Sequence, residues 1–246
     1  MPALENKVAI VTGAGRGAGR AIALVLAREG ASLVAVGRTR TDLDRLAAEI
    51  TAANGVCEPL DADVASPADA RRIAAQTLER FGRIDVLVNN AGVGGPVSRV
   101  EETPVEEWRR TLDVNLTGPF LCSQAVLPAM KEQRSGHIIM ISSGAGKQGY
   151  PNMAAYCASK FGLHGLAQSL AAEVSDLNIR VTTIMPGSIA ETGFSGQRKG
   201  WMPRPGAKYL RPEDIADAIL FLLQQPPSAW TQEMSLWPFK TYHAGE

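Results

Sequence analysis

The chain has 246 residues, 45% of them hydrophobic, with 25 basic and 25 acidic side chains and a formal net charge of zero. That length can fill one large α/β core. The absence of a sign bias argues against nucleic acid or an anionic membrane surface as a partner, and no stretch approaches the ~20 apolar residues of a membrane span.

Lys7 to Val11 is apolar and β-branched, as a buried strand requires. Gly13, Gly15, Gly17 and Gly19 follow at once, and a helical stretch runs from about Arg20 to Arg28. Strand, glycine turn and helix are the parts of a dinucleotide-binding unit. The glycines let the backbone approach a pyrophosphate, and the helix N-terminus offers it free N–H groups. Ser32 to Gly37 reads as a second strand, Thr41 to Ala53 as a helix and Val56 to Asp61 as a third strand. Ser66-Pro67 opens a helix to Phe81 as cap and first-turn pair. Ile84 to Asn89 reads as a fourth strand. A long helix is expected from Pro104 to Arg134, with a bend near Gly118-Pro119. Further strands are expected at His137 to Ser142, Ile179 to Met185 and Glu233 to Trp237, and helices at Met153 to Ser175 and Pro212 to Gln224. Repeated βα alternation predicts one α/β domain over residues 1–246, a Rossmann-like doubly wound parallel sheet with helices on both faces. Ligands bind such sheets beyond the carboxyl ends of the strands.

The sharpest pattern is Y-C-A-S-K, which puts Tyr156 and Lys160 on one face of a helix. A phenol is a weak base at neutral pH, and a neighbouring ammonium lowers its pKa. Ser143 adds a hydroxyl that can hold a substrate oxygen, so the three read as proton transfer at a C–O centre. Three cysteines, Cys57, Cys122 and Cys157, show neither metal-ligand spacing nor an even disulfide count. Cys157, beside the tyrosine, is expected to serve packing. The N-terminus lacks a basic-then-apolar leader pattern, so a cytoplasmic location is expected.

With T-G-x-x-x-G-x-G (Thr12, Gly13, Gly17, Gly19), Asn89-Asn90-Ala91-Gly92, Asn115, Ser143, Tyr156 and Lys160, the chain resembles the short-chain dehydrogenase/reductase family from about Lys7 to Gly187. It is most similar in pattern to NADP-dependent 3-ketoacyl reductase-like members. The resemblance implies hydride transfer between a nicotinamide cofactor and a small-molecule carbonyl or alcohol, with Asn115, Ser143, Tyr156 and Lys160 catalytic. It implies a cofactor seat made by Gly13, Gly15, Arg16, Gly17, Ala18, Asp63, Val64, Asn90, Ala91, Gly92, Pro186 and Gly187, together with Tyr156 and Lys160. No metal is implied. The family usually shows P-G-x-x-x-T. Here Glu191 takes that place and Thr192 comes one later, so Ile189 and Thr192 join the seat only if the loop carries an insertion.

Cofactor choice can be argued from residues as well. NAD-specific folds place an acid at the end of the second strand. Here that end reads V-A-V-G-R-T-R, and Arg38, with Arg16 in the glycine loop, suits the 2′-phosphate of NADP (NADPH). Residues 193–210 mix aromatic, basic, glycine and proline residues and are expected to form a substrate loop. Arg198, Lys199, Arg204 and Lys208 could meet an anionic group or simply be solvated. The long helices predict a homodimer or homotetramer, with Leu163, Leu166, Leu170 and Val174 as one apolar stripe and the Ala-rich remainder free to approach another helix. A non-catalytic nucleotide-sensing protein, or a lyase or isomerase that keeps its cofactor, stands as the alternative function.

Overall fold

The computed structural model describes residues 3–190 and 208–239. Alternation of β-branched runs with helical stretches gives seven parallel strands in the order β3-β2-β1-β4-β5-β6-β7. These are β1 (Val8–Thr12), β2 (Ser32–Gly37), β3 (Val56–Asp61), β4 (Val86–Asn89), β5 (Gly136–Ile141), β6 (Ile179–Pro186) and β7 (Glu233–Leu236). The order reverses between β1 and β4, which leaves a crevice at their carboxyl ends.

Successive side chains of β1 enter opposite layers. Ala9 and Val11 join a core with Ile22, Leu26, Leu43 and Ile219, while Ile10 joins one with Ile73, Leu87, Met130 and Leu163. The first layer is covered by α1 (Gly17–Arg28), α2 (Arg40–Ala52) and α7 (Pro212–Leu223). The second is covered by α3 (Pro67–Phe81), α5 (Gly118–Gln133) and α6 (Ala154–Val174). Local chemistry sets the ends. Ser66 accepts from the Asp69 N–H at 3.2 Å, Pro67 follows it, and Gly82 stops α3 at φ 72°.

Most elements fall within two residues of the expected bounds, and two regions depart further. The helix after the glycine turn begins at Gly17, and β1 runs one residue further, to Thr12. The expected Pro104–Arg134 helix is three pieces: α4 (Val105–Leu112), a π-helical turn over Asp113–Thr117, and α5. In place of the expected bend at Gly118-Pro119, the interruption is a widened π-helical turn just before that pair. The stripe on α6 faces inward: Leu163, Leu170 and Val174 are core, and Leu166 packs against it. Phe161 on α6 and Phe120 on α5 remain 46% and 44% exposed.

Candidate active site

Thr12 ends β1 and fastens the crevice. Its hydroxyl donates to the Val88 carbonyl at 3.2 Å and accepts from the N–H groups of Asn90 and Ala91, both at 3.0 Å. The Asn90 amide donates back to the Thr12 carbonyl at 2.9 Å. Asn90 thereby ties the end of β4 to the glycine turn. Gly13 sits at φ 67°, and a Cβ there would lie 2.9 Å from the Ala91 Cα. A Cβ on Gly19 would lie 2.1 Å from the Gly13 carbonyl oxygen. The turn closes this tightly only without side chains. Gly15, Arg16, Gly17 and Ala18 then lead into α1, with Arg16 as the extended residue before its first turn.

At the end of β2, Arg38 is exposed. Among the described residues neither Arg38 nor Arg16 has an ion-pair partner, whereas Arg40 binds Asp44 at 2.8 Å and faces Asp61 at 3.6 Å. On the neighbouring strand Asp61 lies opposite Gly37, and Arg40 faces it. Asp63 serves its own turn, accepting from the Ala65 N–H at 3.0 Å. Val64 is buried, and a Cβ on Gly118 would meet it at 2.9 Å.

Asn115 is fully buried in the π-helical turn. Its amide accepts from the Val93 N–H at 2.8 Å, donates to the Val93 carbonyl at 2.9 Å and donates to the Ser159 hydroxyl at 3.1 Å. It locks the segment after β4, including Gly92, onto α6. Ser159 was not singled out by the sequence reading, although it stands directly before Lys160.

Ser143 follows β5 and accepts from the Ala145 N–H at 3.2 Å, opening a 3-10 turn over Gly144–Gly146. Ala145 packs with Tyr156 and Cys157, so that turn lies against the start of α6. Tyr156 and Lys160 are 6% and 5% exposed. The Lys160 Nζ lies 5.8 Å from the centroid of the Tyr156 ring and donates to the Ile141 carbonyl at 2.7 Å. Burial lowers the Lys160 pKa from its ordinary value to about 8. The Cys157 Sγ accepts from the Tyr150 N–H at 3.4 Å, a packing role.

Pro186 ends β6. Gly187 donates its N–H to the Leu236 carbonyl at 2.8 Å, and Ile189 bridges to Leu210, the last residue of the expected substrate loop. Thr192, Glu191 and all of the expected substrate loop except Lys208, Tyr209 and Leu210 lie outside the described residues. Among the described residues no cluster of His, Cys, Asp or Glu could hold a metal ion, and no helix is long and apolar enough to cross a membrane.

A glycine-walled crevice at the switch point of a parallel sheet, flanked by a buried tyrosine–lysine pair, defines a dinucleotide-dependent oxidoreductase. The family model described as short chain dehydrogenase matches residues 7–202, and the chain belongs to that family. It is 39% identical over 233 residues to a 3-oxoacyl-[acyl-carrier-protein] reductase of Synechocystis sp., covering 94% of each chain. A metagenomic short-chain oxidoreductase solved with NADP superposes with a TM-score of 0.85 at 37% identity, over 96% of this chain and 99% of that one. An NAD+-bound xylitol dehydrogenase superposes with a TM-score of 0.87 at 30% identity, over 95% and 98%.

Proposed function

We propose that the protein transfers hydride between NADP(H) and a small-molecule carbonyl or secondary alcohol, with Tyr156 as acid and base. The observation that carries this reading is the buried Tyr156–Lys160 pair beside the Ser143 turn, at the carboxyl ends of the central strands. The residues fit the cofactor. Gly13 and Gly15 let the turn close against Ala91 and Asp42 without side chains, the N-terminus of α1 behind it suits a pyrophosphate, and the exposed Arg38 and Arg16, free of ion pairs among the described residues, suit a 2′-phosphate near the N-terminus of α2. Bound nicotinamide supplies the hydride. Ser143 donates a hydrogen bond to the carbonyl oxygen. Tyr156 gives its proton to the forming alkoxide and, in oxidation, the tyrosinate takes it back. Lys160 stabilises the tyrosinate by charge. Asn115 holds the Val93 segment and α6 in register around them.

The whole chain serves as one dinucleotide-binding and catalytic domain, with 193–210 as its substrate loop. Self-association is part of the proposal. The exposed Phe120 and Phe161 support pairing through α5 and α6 into a homodimer or homotetramer, and three free cysteines suit the cytoplasm.

The test follows nicotinamide absorbance with ketones and ketoesters plus NADPH or NADH, and with alcohols plus NADP+ or NAD+. Stoichiometric cofactor oxidation by a carbonyl, or cofactor reduction by an alcohol, is expected. A sensing protein or a cofactor-retaining lyase or isomerase would give neither. A charge-assisted hydrogen bond contributes ~1.5–3 kcal/mol. Two exposed ones, discounted for solvent and non-additivity, predict a preference for NADPH of roughly 30- to 700-fold in kcat/KM. Gly37→Asp with Arg38→Ile should remove most of it. Equal use of both cofactors refutes the assignment.

A further inference from the structure

Trp237 is the first residue beyond β7, and two glycines shape its seat. A Cβ on Gly144 would lie 2.9 Å from the indole Cη2 and 3.2 Å from Cζ2. A Cβ on Gly187 would lie 3.1 Å from the indole Cε3. Gly144 directly follows Ser143, and Gly187 directly follows Pro186. One edge of the ring therefore touches the turn that carries Ser143, and the other touches the loop that ends β6. The Tyr150 hydroxyl lies 3.8 Å from the same Gly144 position, so a second aromatic side chain converges on that point. The Ser98 N–H donates to the Asn152 carbonyl at 3.0 Å and ties the segment after β4 to the Tyr150 loop. Met153 packs against the cluster of Ala145, Tyr156 and Cys157. Trp237 and Tyr150 nevertheless stay 43% and 37% exposed. Large aromatic surface left open beside a reactive group is where a flat apolar ligand gains most.

We propose that Trp237 is a specificity-determining residue. It forms, with Tyr150, an aromatic wall that selects carbonyls or alcohols bearing an aryl or other flat ring next to the reacting carbon. The proposal rests on the hydride-transfer reading for the site's chemistry, but the wall itself follows from the packing.

The test compares acetophenone with 2-butanone as substrates of the wild-type enzyme, Trp237→Ala and Trp237→Phe, using NADPH. An offset or edge-to-face ring contact contributes ~0.5–1.5 kcal/mol beyond area burial. The wild-type ratio of kcat/KM for the aryl over the aliphatic ketone should thus fall by roughly 2- to 12-fold in Trp237→Ala. Most of it should return in Trp237→Phe. A merely structural tryptophan would depress both substrates alike and leave the ratio unmoved. Binding is read separately. 1-Phenylethanol and 2-butanol are titrated calorimetrically into enzyme saturated with NADPH, a combination that cannot react. Loss of aryl preference in Trp237→Ala in that titration supports the wall even if no ketone turns over, in which case the hydride-transfer reading fails alone. An aryl preference equal in wild type and Trp237→Ala, in either measurement, overturns the proposal.

Discussion

Tyr156 is nearly buried, with the Lys160 ammonium near its ring face, so its hydroxyl has one purpose if the site is catalytic: to move a proton. Tyr156→Phe keeps the packing against Ala145 and removes the proton. A loss of about 10²–10⁴-fold in kcat is expected, with cofactor binding nearly intact by fluorescence titration. Activity within a few-fold of wild type would dismiss the assignment. Lys160 gives a second prediction. Burial brings its pKa to about 8, so its charge is present at neutral pH and disappears above that value. With the charge gone, the tyrosinate loses its partner, and kcat should decline as pH rises through about 8. A rate that stays flat to about pH 10 would show that the ammonium is not needed. These residues were legible because their spacing is local: positions four apart on a helix share a face whatever surrounds them. Trp237 was not legible. Its relation to Gly144 and Gly187 depends on where β7 lies in the sheet, and no local pattern encodes that.

At the scale of elements, most strands and helices could be read from apolar runs bounded by Gly, Pro, Ser and Asp. The π-helical turn could not. Its residues, D-V-N-L-T, carry no signal for an extra residue per turn, and what stabilises it is the distant partner of Asn115. The start of α1 was misplaced for a related reason. Gly17 and Gly19 are poor helix formers by propensity, yet α1 begins at Gly17 and passes so close to the Gly13 carbonyl that only glycine fits at position 19. Asn115 accordingly carries the element-scale prediction. Asn115→Leu keeps the volume but strips the Val93 N–H and carbonyl of their partners, and each unpaired buried group costs ~1–3 kcal/mol. A loss of about 2–5 kcal/mol is expected from urea unfolding. A loss under about 0.5 kcal/mol for the leucine variant would mean that water replaces the amide.

Across the whole molecule, the β5–β6–β7 side of the sheet is held by a buried histidine. His137 lies on β5, 6% exposed, with its Nε2 2.9 Å from the Thr182 hydroxyl on β6. That hydroxyl donates to the Thr231 carbonyl, just ahead of β7, at 2.6 Å. Having given its proton away, Thr182 must accept from His137, so the imidazole carries a proton on Nε2. Burial, with the Arg180 charge on β6 as a smaller cause, lowers the His137 pKa to about 3. Above pH ~6.5 the folded and unfolded states are both neutral at this position, and stability is independent of pH there. Below it the unfolded chain takes up a proton that the folded chain refuses. Stability then falls by about 1.4 kcal/mol per pH unit as pH drops toward the folded value. Between pH 7 and pH 5 that amounts to about 2 kcal/mol. His164 also has a lowered pKa, chiefly from burial, and adds in the same direction. The His137 share is therefore isolated by comparison with His137→Gln. Its side-chain amide can still donate to Thr182 but does not titrate. The variant should start less stable at pH 7, because the ring's packing is lost, and should lose less between pH 7 and pH 5. Urea midpoints at the two pH values check it: a decline in the variant as steep as in wild type would place the acid sensitivity elsewhere in the molecule.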